Sequence, residues 1–200
     1  MFLFVTKLRL KIKKISRMFN PDVIIASSTY PLDNYIASIL ARKNKAQHIF
    51  EVHDLWPLSP MELGGYSKYH PFILVMQAAE NYAYKHVDKV VSMLPKTLEH
   101  MKEHGLKDEK WYHVPNGIVT EEWNNPENLP ETHLKVLNDI KDQGKTIVGY
   151  AGGHSVSNSL DTLCEAAELL HDDKRFSFVL VGKGQEKDNL MNKYNYLENI

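Results

Sequence analysis

Cysteine is nearly missing from this 200-residue chain. Cys164 is its only one, so no intramolecular disulfide framework exists, and a reducing compartment suits the composition. Long apolar runs are also missing, since none approaches the roughly 20 residues that span a bilayer. The opening MFLFVTKLRLKIKKISRMF does not read as a signal peptide. Its apolar stretch is short, its basic residues follow that stretch, and no small-residue cleavage site appears. Net charge is close to nil, at −1, so no global field selects nucleic acid or an acidic substrate. Longer-period repeats and low-complexity tracts are absent. These absences lead to the expectation of a cytoplasmic protein with no nucleic-acid partner.

What is present is an ordinary globular balance, 43% hydrophobic and 24% charged, in a chain long enough to bury a sizeable core. Charge is uneven: residues 1–50 carry nine Lys/Arg against Asp22 and Asp33. Leu8, Ile12, Ile15 and Phe19 recur at helical spacing with lysines between them. Two readings stand for residues 4–19. One is a basic amphipathic helix lying on an anionic membrane surface, which would place the protein at the inner face of the plasma membrane. The other is a surface helix packed on a sheet, with a solvated basic side.

Strand, loop and helix then alternate. DVIIASS (22–28), HIFEVHD (48–54), DKVVSML (88–94) and WYHVPNG (111–117) read as strands. LDNYIASILARK and PFILVMQAAENYAYKHV (71–87) read as helices, with a long loop reaching about residue 69. Pro95 is expected to open a helix that runs to about His104 and stops at Gly105. Residues 119–144 shift in composition, with Pro126, Pro130, asparagines and many charges around one short helix, LKVLNDIKD. The pattern restarts with KTIVGYAGG (145–153), the helix at 159–173, RFSFVLVGKG (175–184) and a last helix. Parallel sheets with helices on both faces follow as the expectation, in two units: 1–118, a linker at 119–144, and 145–200.

In such sheets ligands bind beyond the carboxyl ends of the strands. Those ends carry Ser27-Ser28-Thr29-Tyr30, His53-Asp54, Pro115-Asn116-Gly117, Gly152-Gly153-His154 and Gly182-Lys183-Gly184, while the opposite loops are plain charged connections. An imidazole there suits general-base work, because histidine titrates near neutrality; a packed loop histidine is the alternative for His53. Asp54, next in line, points to the other side of the strand and is not expected to hold the His53 ring. The two glycine loops each precede a helix and let backbone N–H groups approach a phosphate, or they serve as tight turns. His48, His70, His86, His100 and His104 look scattered, with no zinc spacing, so no metal is expected.

EVHDLWPLSP, VPNGI and VGYAGGHSVSNSLDTLCEAAELL, with FSFVLVGKGQEKDNL, resemble family 4 glycosyltransferases. More narrowly they resemble transferases of bacterial capsule, O-antigen and exopolysaccharide assembly, the fucosamine-type acetamido-sugar enzymes among them. The resemblance runs from about Pro21 onward. It implies an α/β GT-B fold of two Rossmann-like units with parallel sheets, the second incomplete. It implies a retaining, metal-independent transfer with a nucleotide-diphosphate sugar as donor substrate, no further cofactor, and a lipid-linked or oligosaccharide acceptor. His53 becomes the catalytic candidate, with Tyr30 and Asp54 on the acceptor side. Asn116 and Gly117 mark the turn into the second domain. Gly152, Gly153, His154, Asn158, Gly182 and Gly184 become donor-side candidates.

Two departures matter. Many family members read G-R-x-x-x-x-K-G after the fifth strand, and here Gly153 and Asn158 stand at the Arg and Lys positions. The surface-polysaccharide subgroup carries histidine and asparagine in this loop, so His154 and Asn158 are expected to donate to phosphate instead. The family's first strand with its glycine-rich loop, and its donor-side E-x7-E pair, do not appear in residues 1–200. A sheet with an exposed edge, marginal stability of the second unit and no turnover by these residues alone are therefore expected. A nucleotide-binding remnant, or a nucleotide-sugar epimerase built on two facing Rossmann units, are the alternatives.

Overall fold

The computed structural model describes residues 2–200, which divide into two compact units with the boundary between Ile118 and Val119. In the first, α1 (Phe2–Phe19) leads to β1 (Val23–Ser28), α2 (Asn34–Asn44), β2 (Gln47–Val52), α3 (Leu58–Gly64), α4 (Pro71–His86), β3 (Lys89–Ser92), α5 (Leu98–Glu103) and β4 (Trp111–His113). The four strands are parallel in the order β1-β2-β3-β4.

Among the described residues, the helices of this unit cover one face of its sheet, not two. Along β1 and β2, Ala26, His48, Phe50 and Val52 are buried, while Val23, Ile25 and Ser27 are exposed. The buried face meets Ala37 of α2, Ala83 and Tyr84 of α4 and Met101 of α5 in one cluster. Strands joined in simple order by same-handed crossovers place every connecting helix on one side. That corrects the expectation of helices on both faces for this unit.

Helix α1 turns Val5, Leu8, Ile12 and Ile15 partly inward and buries Ser16. It packs against α2, not against a sheet as expected, and Ser16 donates to Asn44 Oδ1 at 2.8 Å. Phe19, expected on the apolar stripe, is 65% exposed. Among the described residues no helix is long and apolar enough to cross a membrane.

Helix α3 lies inside the stretch read as loop. Two prolines in WPLSP mask it, yet Pro60 falls in its first turn, where a missing N–H costs nothing. Gly65, in the left-handed region at φ 66°, ends it. Helix α5 begins at Leu98, not Pro95, because the Ser92 hydroxyl, Thr97 and the Leu94 carbonyl close a turn first. Strand β4 stops at His113; Val114 N still donates to Ser92 O, but Pro115 has no N–H to continue.

The second unit holds α6 (Thr120–Asn124), α7 (Glu131–Asp142), β5 (Thr146–Ala151), α8 (Leu160–Leu169), β6 (Phe176–Val181) and α9 (Lys187–Tyr194). β5 and β6 form a two-stranded parallel sheet. Leu160, Cys164 and Ala167 of α8 and Leu190 and Tyr194 of α9 pack with Phe178 of β6. Cys164 is thus a core residue, and burial raises its thiol pKa.

Candidate functional site

Parallel strands place their carboxyl ends at one edge of each sheet, and the candidate residues sit there. In the first unit Ser27 and Glu51 are register partners on β1 and β2, and His53 follows two residues after Glu51. The two-residue period puts Glu51 and His53 on the same side, the face that this unit's described helices leave open. His53 Nε2 lies 2.9 Å from Ser27 Oγ and 3.5 Å from Glu51 Oε2. The imidazole is held by a neighbouring hydroxyl and carboxylate, yet its side chain stays 39% exposed. A held, accessible imidazole can take a proton from, or hydrogen-bond to, a hydroxyl brought to that edge.

Asp54 does not join it. Its Oδ1 accepts from Leu55 N at 2.9 Å and Ser59 Oγ at 2.6 Å, which fixes the entry to α3. Tyr30 is 40% exposed and stands edge-to-face on Trp56, with centroids 4.8 Å apart; Trp56 in turn meets Phe72 edge-on. Trp56 packs on the Leu32, Met76 and Ala79 cluster, so it braces Tyr30 at the rim. The reading of residue types missed Glu51 and Ser27 as partners of His53; two-residue spacing and strand register were the available signals. It also missed Asp33, just beyond Tyr30, whose carboxyl is pushed up to about 6 by burial. A strongly shifted acid at a strand-end loop is itself a mark of candidate function.

In the second unit the glycines divide by role. A Cβ on Gly182 would lie 1.8 Å from the Gly152 carbonyl oxygen, and one on Gly184 would lie 2.1 Å from the His154 carbonyl oxygen. These two glycines exist so that the loops after β5 and β6 can press backbone to backbone. The contact is stitched by Gly152 N to Val181 O, His154 N to Lys183 O and Glu186 N to His154 O. Gly153 is open: a Cβ there meets only Asn158 Nδ2, at 3.6 Å. The Gly153 carbonyl accepts from Asn158 Nδ2 and from Tyr150 OH.

His154, expected to offer its ring to phosphate, is 4% exposed, and both ring nitrogens are buried without a partner. It lines a hollow of about 410 Å³ with Cys164, Leu180, Lys187 and Tyr194. Backbone bonding to Lys183 and Glu186 turns the residue into the unit. Gly152, Gly153 and Asn158 remain at the exposed strand end, as do Asn116 and Gly117 in the coil before the second unit. His100 and His104, which looked scattered, meet Glu80 in the helix layer of the first unit.

Residues 1–122 match the sequence profile of Glycosyltransferase Family 4. The chain belongs to this family. No curated protein sequence matches it. Among solved structures, it resembles Anabaena HepE crystallised with UDP, at TM-score 0.64 and 13% identity over 96% of this chain and 50% of that one. It also resembles a glycosyltransferase from Rickettsia africae, at TM-score 0.61 and 19% identity over 98% of this chain and 48% of that one. TarM is a further similar structure, at TM-score 0.58 and 16% identity over 93% of this chain and 33% of that one. These likenesses show an α/β fold of the GT-B kind. The chain spans about half the length of the first two of these structures.

Proposed function

We propose that this chain is part of a retaining glycosyltransferase that uses a nucleotide-diphosphate sugar, with a role in bacterial surface-polysaccharide assembly. Transfer breaks the bond from the anomeric carbon to the diphosphate oxygen and forms one to an acceptor hydroxyl oxygen on the same face of the sugar. The observation that carries the reading is His53, held by Ser27 and Glu51 at the carboxyl edge of β1 and β2 and open to a ligand. In the proposal it positions the acceptor hydroxyl and receives its proton, with Tyr30 at the rim. HepE crystallised with UDP-glucose supports a uridine diphosphate sugar as the donor to try first. The exposed Gly152–Gly153 turn and the Asn158 amide are the donor-side groups. Peripheral contact with an anionic membrane is part of the proposal. Phe2, Leu3, Phe4 and Leu10 remain exposed on α1 beside its lysines and arginines, which supports it.

The test is sugar transfer from UDP-sugars to lipid-linked or oligosaccharide acceptors. His53→Ala in a preparation that turns over is expected to lose about 100-fold or more in kcat. Near-wild-type turnover in that variant would reduce His53 to a structural loop residue.

A second reading, nucleotide binding without turnover by residues 1–200, is favoured by His154 and the glycine pair. The ring is buried and Gly182 and Gly184 are taken up by packing, so few donor-phosphate ligands remain in this stretch. Purified residues 1–200 are expected to give no transfer above background, and clear turnover would overturn this reading.

A further inference from the structure

Away from the strand ends, Glu80 of α4, His100 of α5 and His104 at the C-cap of α5 each bring one possible ligand atom within 4.8 Å of the other two. The four-residue step from His100 to His104 puts both imidazoles on one side of α5, with ring centroids 4.5 Å apart. Glu80 lies opposite with its side chain 1% exposed. A carboxylate that deep needs compensation. It receives Tyr84 OH at 3.1 Å, Gln77 Nε2 at 2.7 Å and His100 Nε2 at 3.0 Å.

The hydrogen bonds around His104 favour one tautomer of its ring. Gln77 Nε2 has two hydrogens but three close neighbours: Glu80 Oε2, Asn81 Oδ1 at 2.9 Å and His104 Nδ1 at 2.9 Å. His104 Nδ1 is also 2.9 Å from Asn81 Oδ1. If that nitrogen carries a proton, it opposes the Gln77 donor. If it does not, its lone pair opposes the Asn81 oxygen, and Gln77 must abandon one acceptor. With the proton on Nδ1 every hydrogen still finds an acceptor, because Asn81 Oδ1 takes one from Gln77 and one from His104, and Nε2 is then the nitrogen whose lone pair is available to a cation.

We propose that Glu80, His100 and His104 bind a divalent cation of the zinc class, which clamps α5 onto α4. Two imidazoles and one carboxylate form a protein ligand set that borderline cations accept, with a fourth position for water. The side-chain amides of Gln77 and Asn81 would orient the ligands from behind. The inference is independent of the glycosyl-transfer proposal, because the cluster lies in the helix layer and not at the strand ends.

The test is titration of chelator-stripped, tag-free protein with Co²⁺, read in the visible spectrum, followed by displacement with Zn²⁺. Expected are a saturating band at one cobalt per chain and a higher Tm with Zn²⁺. His100→Ala and His104→Ala should each weaken binding about tenfold or more. Both histidines are partly exposed, so these variants test the site even if Glu80→Gln does not fold. No band, an unchanged Tm, or a band that survives both histidine substitutions would overturn the proposal.

Discussion

The two strand-end regions solve different problems with similar-looking sequence. In the first unit the edge presents side chains: Ser27 and Glu51 hold His53 on the face that this unit's described helices leave open. In the second unit the edge is mostly backbone, with Gly182 and Gly184 letting one loop lie on another and His154 folded inward. A polar or glycine-rich strand end is therefore not a site by virtue of position. Whether its side chains face outward depends on which face of the sheet is covered and on how closely the next loop approaches.

Substitution separates the two cases. Gly182→Ala is expected to have the largest effect, because backbone must move by more than an ångström to admit the methyl. A loss of about 3 kcal/mol or more in the second unit should appear as faster amide exchange in β5 and β6. Gly153→Ala, one loop away, should change stability by less than about 0.5 kcal/mol. Equal effects would abolish the distinction between packing glycines and open ones.

Next comes pH, where the first unit holds two opposed groups. His48 is buried against Ser38 and Asn34, and desolvation lowers its pKa to about 4. Its neutral form stabilises the fold above the unfolded value of about 6.5, and this is lost as pH falls toward 4, by about 3 kcal/mol in full. Asp33 has the opposite sign. Its carboxyl, raised to about 6, disfavours the fold at neutral pH, and the penalty fades as pH falls through 6 toward 3.8. The pair should leave stability nearly flat between pH 4 and 6 in the wild type. Asp33→Asn should uncover a decline in that window, measured by urea unfolding at each pH. A variant as flat as the wild type would remove the offset.

The smallest effect sharpens the first site. Ser27→Ala removes one hydrogen bond from His53 and should raise the barrier to transfer by about 1 kcal/mol, far less than loss of the ring. A loss as large as that of His53→Ala would make the serine a direct participant.

Much of the fold was legible because helices and strands announce themselves through neighbours a few positions apart. The residues ending each strand followed from that alternation, and His53 with them. Helix α3 was hidden by its prolines, and Asp33 by the ordinary look of a carboxylate after Pro31, since only burial makes it unusual. His154 looked like a phosphate ligand because sequence does not show which way a loop residue turns.

Local periodicity thus determined the order of elements and the edge where polar residues gather, while the resemblance of EVHDLWPLSP and its companions pointed to the family. Only the tertiary structure decided that the helices of the first unit pack on one face of its sheet, that Gly182 and Gly184 serve backbone contact, and that Glu80 meets histidines 20 and 24 positions away. The reason is physical. Hydrogen bonding and side-chain period act along a segment, whereas burial and approach are set by crossovers that bring distant segments together.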